Sequence, residues 1–66
     1  MQNYFVTILE LSLAAMYKVT ASSQREAKII ALAYFNMVSV DDIDLDCTGD
    51  MTIVCVAEDR LEDLTA

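Results

Sequence analysis

The sequence contains no proline, no histidine and no tryptophan, and it has one glycine, Gly49. Linkers and disordered tracts are enriched in proline and glycine, so this chain is expected to be ordered over most of its length. The missing histidine removes the usual general base near neutral pH. It also leaves Cys47 and Cys55 without an imidazole to complete a zinc site. There is no glycine-rich phosphate loop and no nucleophile paired with a base. The chain is therefore expected not to be an enzyme, and no cofactor or metal is expected.

A secretory leader and a membrane span are equally poorly supported. Met1-Gln2-Asn3-Tyr4 carries no basic charge, and the longest near-apolar stretch, 27–38, is interrupted by Lys28 and Asn36. Two cysteines are too few for a disulfide framework, and a cytoplasmic location is expected. With 66 residues the chain makes a single domain, 1–66, whose core is necessarily small. A hydrophobic fraction of 56% offsets that and hints at apolar surface shared with a second copy or a partner.

Basic residues are scarce and acidic ones are segregated. Residues 1–40 carry three bases and two acids, a net +1, whereas residues 41–66 carry nine acids and Arg60, a net −8. Such a chain repels nucleic acid and anionic membrane, and its natural partner is a basic protein surface.

The alternation in 4–21 predicts two strands. The odd positions from Phe5 to Ala21 are apolar except Thr7 and are expected to face the core. A reversal is expected near Ser12–Ala15, although no glycine, asparagine or proline marks it; a short helix over Leu9–Met16 is the alternative. Ser23 and Glu26 form an S-x-x-E capping box and open a helix. Ala27, Ile30, Ala31 and Tyr34 recur on one face, yet Ile29, Leu32 and Phe35 make the back apolar too. That back is expected either to lie under the C-terminal tail or to contact another chain. A third strand is expected over 38–47, a turn at Thr48-Gly49-Asp50, and an interior fourth strand over 51–57. Residues 58–66 read as a short helix or tail. The fold class is α+β: an antiparallel sheet of about four strands with one packed helix, in the order ββαββ.

Asp42-Ile43-Asp44-Leu45-Asp46 is the most informative motif. On a strand its carboxylates stand about 6.6–6.8 Å apart, close to the phosphate spacing of a nucleic-acid strand. Asp41, Asp50, Glu58, Asp59, Glu62 and Asp63 broaden the row into an acidic face. That face suits imitation of a phosphate backbone, and a solvated, aggregation-blocking edge is the plainer reading. The same Asp-x-Asp-x-Asp begins an EF-hand loop, but Cys47 and Ile53 stand where glycine and glutamate are required. Cys47, Cys55 and the Met and Tyr residues are expected in the core.

Two resemblances bear on function. The run Tyr4-Phe5-Val6-Thr7-Ile8, Tyr17-Lys18-Val19-Thr20-Ala21-Ser22-Ser23 and Glu26-Ala27 resembles small phage and mobile-element proteins of the DpnD/PcfM-like kind, and implies strand, strand, helix. In size and segregated acid the chain also resembles DNA-mimicking anti-CRISPR proteins. That likeness implies a phage-encoded inhibitor blocking target-DNA or PAM recognition by a type I Cas effector complex in the host cytosol, with the acidic residues as its binding face. The alternative is a homodimer or other oligomeric interaction module, including an antitoxin-like one, using Ile29, Leu32 and Phe35 on the helix.

Overall fold

The computed structural model describes residues 1–59. Strands β1 (Gln2–Glu10) and β2 (Leu13–Ala21) are followed by helix α1 (Gln24–Asn36) and strand β3 (Thr52–Ala57). Between α1 and β3 lie two 3-10 turns, Val40–Asp42 and Leu45–Cys47. The three strands form one antiparallel sheet in the order β2-β1-β3, with β1 in the centre. The α+β class and the single packed helix are as expected, but among the described residues there are three strands rather than four. Residues 38–47 form turns instead of a strand, and β3 is an edge strand rather than an interior one. The expected terminal helix or tail lies largely outside the described residues.

The first reversal takes place at Leu11–Ser12, with Glu10 paired to Leu13. A two-residue turn changes the parity of the face. Tyr4, Val6 and Ile8 of β1 therefore lie opposite Val19, Tyr17 and Ala15 of β2. The buried positions are even in β1 and odd in β2. The single odd-numbered face expected across 5–21 is thus corrected for β1, whose odd residues Phe5, Thr7 and Leu9 stand on the side away from the helix. Leu11 takes φ 52°, the positive value that such turns place at their first central position and normally give to glycine.

The helix starts where the sequence indicates. Ser23 Oγ accepts from the Glu26 backbone N–H at 3.1 Å, whereas the Glu26 carboxylate accepts from the Ser22 hydroxyl rather than closing the box on Ser23. Its end is a Schellman motif. The Val38 N–H donates to the Ala33 carbonyl, the Met37 N–H donates to the Tyr34 carbonyl, and Met37 itself is left-handed at φ 58°, ψ 44°.

Ala27 and Ala31 are fully buried against Val6, Ile8 and Ala21, and small side chains at this contact let the helix lie close to the sheet. Leu32 is 2% exposed and belongs to the same cluster, with Phe35 packed on it. Leu32 is therefore not a free helix surface for an oligomer contact, whereas Phe35 and Ile29 are half-buried. Tyr34 stays exposed and stacks on Tyr17 of β2, with ring centroids 6.2 Å apart.

Two outcomes follow for stability. Replacing Leu11 or Met37 by glycine relieves a left-handed side chain and should raise the urea-derived unfolding free energy by roughly 0.5–1 kcal/mol each. Leu32→Ala removes a fully enclosed side chain and should lower it by about 2–4 kcal/mol in the same assay.

Candidate functional site

The segment between α1 and β3 keeps the alternation of the sequence without being a strand. Ile43 and Leu45 pack against the core cluster, while Asp41, Asp42, Asp44, Asp46 and Asp50 are exposed. The 3-10 turns arise from local side-chain acceptors. Ser39 Oγ accepts from the Asp41 N–H at 3.3 Å, and Asp44 Oδ1 accepts from the Asp46 N–H at 2.9 Å. Aspartate and serine favour these local bonds over a sheet ladder, which is the physical reason the expected third strand does not form. The straight, phosphate-spaced row of carboxylates is lost with it.

In its place is a groove of about 400 Å³ between the second half of α1, the acidic segment and the start of β3. Leu32, Val38, Ile43 and Met51 supply its apolar surface, and Asn36, Asp42, Asp44, Cys47 and Thr48 its polar one. The segment thus covers part of the helix back. No base forms an ion pair with Asp41, Asp42, Asp44, Asp46 or Asp50 among the described residues.

The remaining predicted acids lie elsewhere. Glu58 and Asp59 follow the far end of β3, a strand about 17–20 Å long that separates them from Asp50. Glu58 forms a salt bridge with Lys18 at 3.3 Å, and Asp59 accepts from Gln2 Nε2 at 2.9 Å. Hydrogen bonds from Asn3 and Lys18 hold the Glu58 carboxyl below its ordinary pKa. A depressed carboxyl stabilises the fold at neutral pH, and that contribution disappears as pH falls through the lowered value. Both partners are substantially exposed, so the effect is small. Glu62 and Asp63 lie outside the described residues. The single broad acidic face therefore divides into the Asp41–Asp50 segment and a separate, paired group at the other end of β3.

Among the described residues no group of three Cys, Asp or Glu side chains could hold a metal ion. Among the described residues no helix is long and apolar enough to cross a membrane. Both cysteines are free; Cys47 is exposed and Cys55 half-buried, which corrects the expectation of two buried side chains. Met16 and Met37 are likewise exposed, whereas Tyr4 is in the core. Comparison with family models, with curated proteins and with solved structures finds no match.

Asp44 accepts a hydrogen bond from the Cys47 thiol and adds its negative charge, and both effects raise the thiol pKa. Burial raises that of Cys55. Cys47 is therefore accessible but poorly ionised. Asp44→Asn should accelerate its alkylation by iodoacetamide at pH 8 several-fold, read by mass spectrometry, with the rate at Cys55 unchanged.

Proposed function

We propose that the protein is a non-enzymatic binding module that takes a basic side chain of a partner protein into the groove lined by Asp42 and Asp44. The observation that carries this reading is that apolar side chains and two carboxylates line the same groove. Lysine and arginine have an apolar stem and a charged head, and a groove lined by Val38, Ile43 and Met51 together with Asp42 and Asp44 suits both parts. The unpaired charge of Asp41, Asp46 and Asp50 around it favours fast, salt-sensitive encounter with a basic surface.

A nucleic-acid-binding surface is the basic partner this reading favours, because such surfaces present lysine and arginine densely. Occupying it would make the protein an inhibitor by charge imitation, and a Cas effector complex is one such target. The support is charge density in a compact segment. A helix-centred oligomer is less well supported, since Leu32 and Phe35 contribute to the core.

An arginine-rich peptide titrated at about 50 and 300 mM salt checks the reading by amide chemical shifts. Shifts should concentrate on the Asp41–Asp50 segment and Met51. Asp42→Asn combined with Asp44→Asn should weaken binding about tenfold or more while leaving the fold intact, because asparagine retains the local cap. Shifts spread evenly over all acidic residues, Glu58 and Asp59 included, would reduce the segment to a solubilising role.

A further inference from the structure

The outer edge of β2 is the least protected feature of the molecule. It is nine residues long, and no described element pairs with it. Its register with β1 is continuous from Gln2↔Ala21 to Glu10↔Leu13, so no bulge twists it away. The chain has no proline to block it. Its one charge, Lys18, is drawn over the sheet, 5.8 Å from the Phe5 ring centroid and bonded to Glu58. The opposite edge differs: β3 has six residues, and the acidic segment runs directly into it.

The hairpin geometry fixes which groups the edge presents. Hydrogen-bonded and non-bonded pairs alternate in an antiparallel ladder, and the pair closing a two-residue turn, Glu10–Leu13, is a bonded one. Odd residues of β2 therefore bond to β1, while Ala14, Met16, Lys18 and Thr20 turn their N–H and C=O groups outward. Apolar side chains flank this row on both faces of the sheet. Met16 is 67% exposed on the side away from the helix; Leu13, 60%, and Tyr34, 64%, are exposed on the helix side.

We infer that a second copy of the chain pairs with this edge, β2 antiparallel to β2, making a continuous six-stranded sheet about a two-fold axis. An edge of this kind is self-complementary, as an isologous contact requires. Charge permits a second copy here, because the strip has one lysine, already paired within its own protomer, so two strips meet without like-charge repulsion. Pairing centred on Met16 sets Lys18 opposite Ala14 rather than opposite its own copy, and aligns Leu13 with Val19. The strip is about 30 Å long and narrow, at the low end of specific interfaces, so the dimer forms reversibly with concentration. This inference stands apart from the acidic groove, which lies on the β3 side.

Sedimentation velocity between about 5 and 500 µM, at 0.15 M salt, should show a monomer–dimer equilibrium. Met16→Lys places like charges at the two-fold and should weaken dimerisation about tenfold or more with an unchanged circular dichroism spectrum. Met16→Pro removes one outward N–H but no bond to β1, and should give a folded monomer. Val54→Lys changes the open face of the sheet on the far strand and should leave the dimer intact. A wild-type monomer throughout that range overturns the inference. So does a dimer that survives both Met16 variants, or one that Val54→Lys alone dissolves, which would mean packing through the sheet face.

Discussion

The fold depends on β1 having a neighbour on each side. Its even residues bond to β2 and its odd residues from Phe5 to Leu9 to β3, so the strand's backbone polar groups find partners on both sides. Its even side chains, Tyr4, Val6 and Ile8, are the sheet's contribution to the core, and the alanines of α1 rest on them. A chain of this size has few buried side chains to spare. Any shift of β1 by one residue exchanges that row for Phe5, Thr7 and Leu9 and leaves the helix with nothing of the right shape to pack on. The two-residue turn at Leu11–Ser12 prevents such a shift, even though it forces a leucine into a backbone conformation suited to glycine.

The same turn explains why the strands were legible in the sequence and their facing was not. Alternation in 4–21 is apolar enough in both parities that either set can be read as buried, and the choice rests on where the chain reverses. Leu11 and Met37 both adopt positive φ without being glycine or asparagine, so the signals by which turns and helix ends are normally recognised are missing at both. Ser23 and Glu26, which do carry such a signal, placed the helix start correctly. At Gly49, also at positive φ, the expected turn forms, with the Met51 N–H donating to the Thr48 carbonyl, but it leads into β3 from a loop rather than from a strand.

The site shows a similar division. That Asp42, Asp44 and Asp46 point to solvent while Ile43 and Leu45 point inward was readable, because any segment laid along a core buries its apolar side chains. Whether it does so as a strand or as turns depends on competition for backbone N–H groups, and Ser39 and Asp44 win that competition locally. The groove was not readable. It requires the second half of α1 and Met51, just before β3, to line one cleft with the acids, and nothing in the spacing of those residues announces it.

Acid and apolar edge are kept apart by the strand order. The acidic segment borders β3 and the second half of α1; β2 lies across the sheet, with strands about 4.8 Å apart. In the β2-paired dimer the two acidic segments sit on opposite margins of six strands, about 24 Å apart at the least. Electrostatic repulsion is screened over about 8 Å at physiological ionic strength, so the acids of the two Asp41–Asp50 segments offer little opposition to self-association along this edge. The arrangement also leaves both grooves open. Two acidic margins facing away from each other let one dimer engage two basic sites. When those sites belong to one assembly, the second contact is intramolecular and strengthens the first without any new interaction. On that account the placement of Asp41–Asp50 beside β3 does more than attract a basic partner, since it keeps the charge of that segment away from the β2 edge.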